Sequence, residues 1–258
     1  MALEGRIVKA ISNFYYVETD DGIIPCKARG VFKKHALSPM VGDWVSITLE
    51  DDQQGFIREV KPRQNQLFRP PVANMEQACL VFSVAEPALS LVLLDRFLVH
   101  VEAHRLSAIV CFSKVDLLEE QEPEVMEQFL RARHIYSAIG YPVVSISVRT
   151  AEGLDVLSEH LRGKVSVLAG QSGVGKSSLL NALLPERKME TGEISKKLGR
   201  GRHTTRHVEL LPLPQGGYLA DTPGFSQLDF AGITAEDLPA TFPEFARFSS
   251  GCRFRSCL

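Results

Sequence analysis

The first segment whose residue types and spacing point to chemistry is a glycine-rich loop at residues 170–178. It begins G-Q-S-G-V-G-K-S and matches the phosphate-binding pattern GxxxxGK[ST] in full. It lies between a strand-like apolar run and a helical pattern, as this motif requires. Its glycines let backbone N–H groups surround an anion, and the helix start adds positive partial charge. A P-loop is therefore predicted from Gly170, Gln171, Ser172, Gly173, Val174, Gly175, Lys176, Ser177 and Ser178.

Polar groups in and after this loop fit nucleotide polyphosphate chemistry. Lys176 is expected to reach the β- and γ-phosphates, and the Ser177 hydroxyl to hold Mg²⁺. The sequence Y-L-A-D-T-P-G at residues 218–224 has a short apolar strand that ends in an acid. Asp221 is expected to approach the metal through water, and the Gly224 N–H to bond the γ-phosphate. The alternatives are a chance glycine-rich turn for the first motif and a plain β-turn for the second.

A candidate base-binding loop precedes the P-loop in the chain. Residues 113–116, S-K-V-D, end an apolar strand predicted at 108–112. The Asp116 carboxylate can accept both the N1 and N2 hydrogens of guanine, and the Lys114 stem can lie over the base, with Val115 between them. The usual GTPase motif is Asn-Lys-x-Asp, in which Asn ties this loop to the P-loop. Ser113 departs from it, although its hydroxyl can make a shorter version of that bond.

A second base contact is predicted one βαβ unit later, at residues 145–147. There Ser147 fits the short, backbone-mediated contact to guanine. Both base segments precede the P-loop and the D-T-P-G motif, whereas most GTPases have the reverse order. The domain is therefore predicted to be circularly permuted, which preserves the three-dimensional site when the original termini lie close together.

The elements that position these motifs fall into three predicted domains. Residues 1–66 have five short strand patterns separated by turn residues, which predicts a small β-barrel, OB-like or SH3-like. Residues 61–71, with three prolines, are predicted to be a linker. Residues 72–230 alternate buried strands with helices, which predicts a mainly parallel sheet covered on both faces. Residues 231–258 are predicted to be helical around 235–246 and to end in a cysteine-containing segment.

Composition excludes several classes of protein. The 258 residues are 45% hydrophobic and 23% charged, which favours a packed core over disorder. Apolar runs are too short for a membrane span, and no secretory signal opens the chain. The five scattered cysteines give no disulfide framework, so we expect the reducing cytoplasm.

Net charge is −2, but positive charge is concentrated at residues 187–207. That run beside the predicted phosphate site suggests a surface that faces a polyanion. The alternative is a solvated loop.

Taken together, these motifs resemble the ribosome small-subunit-dependent GTPase A (RsgA) family, also called YjeQ or YloQ. The resemblance covers essentially the whole chain and includes G-R-H-T-T at 201–205 and D-T-P-G-F at 221–225. It implies an OB-fold domain, a permuted GTPase domain and a C-terminal zinc-binding domain. It also implies a bacterial, cytoplasmic GTPase that acts late in maturation of the 30S subunit, with weak intrinsic activity raised by that subunit. GTP and GDP, Mg²⁺ and 16S rRNA follow as expectations. The sequence leaves the oligomeric state open, but nothing in it demands an oligomer, so a monomer is expected.

The zinc site implied by the family is incomplete in this sequence. The family motif runs Cys, Cys, His, Cys, and Cys252 and Cys257 match its first two ligands before the sequence stops at Leu258. Two thiolates cannot close a tetrahedral site. The sequence leaves open a truncated chain, an absent zinc site or two free thiols.

Catalysis is expected to use an unusual water-positioning group. Many GTPases have Gln after the Gly of the γ-phosphate sensor, whereas this chain has Phe225, whose side chain cannot form a conventional hydrogen bond. His203 is the candidate replacement, since it adjoins Thr204 and Thr205, one of which is expected to bind Mg²⁺. The alternative is that His203 contacts RNA phosphate or is exposed.

Two rival functions fit part of the pattern. A P-loop kinase or ATPase would need no guanine-binding pair such as Lys114 and Asp116. A non-enzymatic RNA-binding module with a vestigial nucleotide site would not need Lys176, Ser177, Thr205 and Asp221 together. The leading interpretation is an RNA-facing assembly GTPase.

Overall fold

The computed structural model describes residues 2–28, 38–50, 54–68, 71–185, 208–221, 233–246 and 248–253. Its N-terminal part is a closed five-stranded barrel in which β1 pairs with β2, β2 with β3, β3 with β5, β5 with β4, and β4 with β1 again. This closure confirms the predicted OB-like barrel. The strands are β1 (Ala2–Ile11), β2 (Phe14–Thr19), β3 (Gly22–Ala28), β4 (Trp44–Leu49) and β5 (Gly55–Val60).

Alternation of side chains along these strands fills the barrel interior. Ile7, Val17, Val45, Ile47 and Ile57 are fully buried, one or two from each of four strands. Because successive side chains of a strand point to opposite faces, an alternating pattern buries every second residue. The apolar alternation in the sequence was therefore sufficient to predict these strands.

The second part of the chain builds a parallel sheet in the order β10-β9-β8-β11-β13, with β12 antiparallel at its end. The strands are β8 (Gln77–Ser83), β9 (Ser107–Ser113), β10 (Val143–Ile146), β11 (Val165–Ala169), β12 (Glu209–Pro212) and β13 (Tyr218–Asp221). The helices are α1 (Leu91–Ala103), α2 (Pro123–Ile139), α3 (Leu154–Leu161) and α4 (Lys176–Leu183).

Helices cover both faces of this sheet, as predicted. Leu80 and Phe82 of β8 belong to one core cluster together with residues of α1 and α2. Cys79 and Val81, which alternate with them, belong to another cluster together with residues of α3 and α4. Strand β8 is buried along its whole length, as expected for a central parallel strand.

The barrel and the parallel sheet are joined through paired strands, a feature that the sequence did not predict. Lys9 of β1 pairs with Glu209 of β12, so all these strands form one 11-stranded sheet. The Lys9 ammonium also lies 3.2 Å from the Glu209 carboxylate. Next to it, the Arg6 guanidinium lies over the rings of Trp44 and Tyr218, at 4.7 Å and 5.8 Å from their centroids.

The predicted linker is more ordered than its prolines suggested. Strands β6 (Gln66–Phe68) and β7 (Pro71–Ala73) form a short antiparallel hairpin there. Arg63 is paired with the fully buried Asp43 of the barrel, with its Nε 2.7 Å from Oδ1. The domain boundaries at 66, 72 and 230 stay predictions.

The C-terminal segment differs from the single helix predicted around 235–246. It has a 3-10 helix, Leu238–Thr241, followed by the short α5, Pro243–Ala246, and a 3-10 turn at Ser249–Gly251. Phe242 between the first two is extended, because a proline disfavours helical backbone in the residue before it. Within the described part of the chain, no helix combines the length and apolarity needed to cross a membrane.

Candidate functional site

The predicted motif residues that the structure describes converge on one edge of the parallel sheet. Strands β8, β9, β10, β11 and β13 run in the same direction, so their carboxyl ends lie together. The base loop (residues 113–116) follows β9, the 147–152 loop follows β10, and the P-loop (residues 170–178) follows β11. Asp221 is the last residue of β13, beside β11. This edge is where open α/β sheets bind their ligands.

Two glycines give the P-loop its shape. Gly170 has a φ of 140°, and a Cβ there would lie 2.2 Å from the carbonyl oxygen of Val81. A side chain at this position would thus collide with the neighbouring strand. Gly175 has a φ of 98° and caps the start of α4 in the left-handed region, which most other residues avoid. The glycines predicted from sequence are therefore required by the backbone.

Lys176 folds back over the P-loop. Its ammonium donates to the carbonyl oxygens of Gly170 at 2.6 Å and Gln171 at 2.7 Å. Burial lowers the pKa of Lys176 to about 8. A half-buried cation whose partners among the described residues are two neutral carbonyl oxygens favours an anion in the same cradle. The arrangement therefore fits a phosphate group.

The base loop is tied to the P-loop through Ser113. Its hydroxyl lies 2.7 Å from the carbonyl oxygen of Val174 and 3.4 Å from that of Phe82, and the shorter contact is the stronger hydrogen bond. The expected connection is therefore present, made by a serine in place of the usual asparagine. It fixes the distance between the two loops.

Lys114 follows in a left-handed conformation, with φ 62° and ψ 34°. Its ammonium donates to the carbonyl oxygen of Glu86 at 2.5 Å, in the segment after β8. The Lys114 side chain thus runs from the base loop toward the neighbouring strand end. Glu86 was not predicted as part of the site, because a backbone carbonyl has no residue-specific signal in a sequence.

Asp116 lies in the first turn of the 3-10 helix Val115–Glu120, and its side chain is only 9% exposed. Hydrogen bonding to Ser147, followed by the ion pair with Arg149, lowers the pKa of Asp116. The Arg149 Nε lies 2.7 Å from Asp116 Oδ2. These contacts keep the Asp116 carboxylate ionised. Both oxygens of an ionised carboxylate can accept hydrogen bonds, which is what the two N–H groups of guanine require. The structure brings Ser147 to Asp116, as its assignment to the base site requires.

Arg149 was missed by the sequence analysis. The available signal was its place two residues after Ser147, in a loop already assigned to the base. A charged side chain there faces either solvent or the ligand, and residue type alone does not distinguish the two.

Two of the predicted Mg²⁺ ligands, Ser177 and Asp221, lie within the described residues. Ser177 lies exposed in the first turn of α4, and Asp221 is half-buried at the end of β13. A hydroxyl in the first turn of α4 and a carboxylate at the end of β13 are a donor set suited to Mg²⁺, beside a cradle that excludes a Cβ. His203, Thr204, Thr205, Gly224 and the basic run lie outside the described residues.

The described residues do not contain a complete set of zinc ligands. Cys252 is an exposed free thiol, and Cys257 lies outside them. No group of three or more His, Cys, Asp or Glu side chains in the described part could hold a metal ion.

Sequence comparison relates this chain to known proteins along its whole length. The model of the RsgA GTPase domain matches residues 60–231, and that of the RsgA N-terminal domain matches residues 4–57. A small ribosomal subunit biogenesis GTPase RsgA of Geobacillus thermodenitrificans is 53% identical, over 99% of this chain and 86% of its own length. The protein of the same name from Shouchella clausii is 52% identical over the same shares.

Two solved structures have the same fold. YloQ, described as a circularly permuted GTPase, has a TM-score of 0.83 at 42% identity, and the match covers 100% of this chain and 83% of that one. YjeQ from Thermotoga maritima has a TM-score of 0.85 at 37% identity, with 100% and 86% covered.

Proposed function

Because this chain belongs to the RsgA GTPase family, we propose that it binds GTP at the strand edge described above and hydrolyses it to GDP and phosphate. The observation that carries the proposal is the hydrogen bond from Ser113 to the Val174 carbonyl, since it couples a base loop to a P-loop. Asp116 and Lys114 bind the guanine, with Ser147 supporting the Asp116 carboxylate. The P-loop N–H groups and Lys176 bind the phosphates.

The reaction is attack of water on the γ-phosphorus. The bond to the β–γ bridging oxygen breaks, and GDP and inorganic phosphate leave. Lys176 neutralises charge on the phosphate oxygens, and His203 accepts a hydrogen bond from the attacking water, because Phe225 cannot. Ser177, Thr205 and Asp221 would hold Mg²⁺, which when bound supplies further positive charge to the β- and γ-oxygens. The Gly224 N–H bonds the γ-phosphate.

The partner is the small (30S) ribosomal subunit, which the protein binds late in the maturation of that subunit. The surface that it contacts there is 16S rRNA. The names of the similar proteins support this proposal, as does the basic run at residues 187–207. We further propose that the protein acts as a monomer in the bacterial cytoplasm. Zinc remains a proposal that rests on the family resemblance alone, and no step depends on it.

The test is phosphate release from GTP, measured with and without purified 30S subunits. We expect slow release alone and faster release with 30S, and no release from ATP in either case. Lys176→Ala should abolish nucleotide binding and both rates. Equal rates with 30S, with 50S and with neither would contradict the ribosomal part of the proposal, whereas hydrolysis of ATP as fast as GTP would contradict the base assignment.

A further inference from the structure

The carboxylate assigned to guanine already has a partner from its own chain. Arg149 and Asp116 lie on different loops, 33 residues apart in sequence, yet Arg149 Nε is 2.7 Å from Asp116 Oδ2. The Asp116 side chain is 9% exposed and that of Arg149 is 67% exposed. The acceptor is thus nearly buried, while its donor reaches it from solvent.

The two ligands of Asp116, guanine and arginine, present the same chemical group. The N1–C2–N2 edge of guanine is a guanidine unit with N–H donors side by side, and an arginine guanidinium has the same planar arrangement with a positive charge. Guanine recognition by Asp116 uses both carboxylate oxygens. Because the Arg149 Nε donates to Oδ2, its guanidinium competes with the guanine N–H groups for the same carboxylate.

The loop that carries Arg149 is shaped to keep it there. The Ser147 N–H donates to the Glu152 carbonyl at 3.1 Å, and the Thr150 N–H donates to Ser147 Oγ at 3.2 Å. These bonds close the 147–152 loop on both sides of Arg149. The bonds therefore hold the backbone of the loop, whereas the Arg149 side chain is 67% exposed, so that no packing opposes its departure on the solvent side.

We propose that Arg149 is a guanine-mimicking cap, which occupies Asp116 in the nucleotide-free protein and slows the entry of guanine nucleotides. This inference rests on the proposed function, because it needs Asp116 to be the guanine acceptor. An ion pair with one exposed partner shifts an equilibrium by about twofold to fivefold. The fraction of open sites, and with it the association rate, is reduced by that factor.

The test is stopped-flow binding of a fluorescent GDP analogue to Arg149→Ala. We expect the association rate constant to rise by about twofold to fivefold and the dissociation rate constant to stay unchanged, because the cap has already left in the bound state. Arg162→Ala is the matched control. Arg162 is also exposed and ion-paired, with its Nη2 2.6 Å from Glu159 Oε2, but it lies at the opposite end of α3. Thermal unfolding of both variants checks that they fold.

Three results would overturn the cap. They are an unchanged or slower association in Arg149→Ala, an equal acceleration in Arg162→Ala, or faster dissociation in Arg149→Ala, which would mean that Arg149 contacts the bound nucleotide. If the unmodified protein does not bind GDP at all, the proposed function fails instead. The two failures are thus distinguishable in one experiment.

Discussion

The Ser113 hydroxyl donates a 2.7 Å hydrogen bond to the carbonyl oxygen of Val174, which lies 61 residues further along the chain. Ser113 is 4% exposed and Val174 is 1% exposed, so the bond lies in the protein interior. An acceptor left unpaired in such a place costs more than one in water. The bond joins the loops that bind opposite ends of the proposed nucleotide.

Ser113→Ala is therefore expected to weaken GDP binding by about fivefold or more, because the base loop and the P-loop are no longer held at the spacing that the nucleotide requires. Loss of the donor to a buried carbonyl should also lower the free energy of unfolding by about 1–3 kcal/mol. Affinity and thermal unfolding are measured together. Ser166→Ala is the control. Ser166 is also buried, and its hydroxyl accepts a 2.8 Å bond from Gln77, but it lies near the opposite end of β11. The Ser166→Ala variant should lose stability and keep its affinity for GDP. An equal loss of affinity in both variants would argue against a special role for Ser113.

Asp116→Asn should exchange guanine for xanthine as the preferred base. The amide supplies the donor that the C2 carbonyl of xanthine needs and loses an acceptor for the guanine N2 hydrogens. Competition of GDP, XDP and ADP against a fluorescent nucleotide measures the change. Asp155→Asn, at an exposed position in α3, removes the same charge and should leave base preference alone. Equal affinity of the unmodified protein for GTP and ATP is incompatible with this assignment.

Nucleotide affinity should fall as pH rises through about 8, the pKa to which burial lowers Lys176 in the free protein. A bound polyphosphate favours the ammonium and raises that pKa, so binding takes up a proton above neutral pH. Calorimetry between about pH 7 and about pH 8.5, in buffers of different ionisation enthalpy, measures the uptake. GMP, which lacks the phosphates assigned to Lys176, is the control and should show little uptake. Affinity for GDP that is constant over this range would contradict the role of Lys176.

The lowered pKa of Lys176 also makes the free energy of unfolding depend on pH, and this free energy changes in the opposite direction from the nucleotide affinity. The unfolded chain keeps this lysine protonated up to about pH 10.5, whereas the folded, nucleotide-free protein releases the proton near pH 8. Between these values the unfolded state binds more protons. The contribution of Lys176 to the free energy of unfolding should therefore rise with pH across this window.

His203→Ala should leave GTP affinity near that of the unmodified protein and lower the 30S-stimulated turnover on the order of 10²-fold, as expected for loss of a positioned general base. Steady-state turnover with saturating 30S subunits measures the effect. His207→Ala, a second histidine in the same segment, is the control and should retain its activity. If His203→Ala keeps full 30S-stimulated turnover, another group must position the attacking water, most simply one that belongs to the ribosome.

The sequence by itself determined the barrel strands and the strands and helices of the parallel sheet, and it predicted most of the candidate site, because those features depend on local chemistry. The P-loop was predictable because only glycine tolerates the backbone at Gly170, and the strands because alternation or continuous apolar runs reveal one or two buried faces. The permuted order needed no structure either, since it is the order of motifs along the chain. The broken C-terminal helix had a local signal in Pro239 and Pro243 that the helical prediction did not use.

Apart from the expected bond between Ser113 and the P-loop, only the tertiary structure decided which distant groups meet. The pairing of β1 with β12, the contact of Lys114 with the Glu86 carbonyl and the ion pair of Arg149 with Asp116 each join segments far apart in sequence. Such contacts depend on strand order and on side-chain direction at the ends of strands, and backbone carbonyls and exposed arginines look alike in any sequence. The sequence therefore predicted a carboxylate that would bind the base, whereas only the fold showed that an arginine of the same chain contacts that carboxylate.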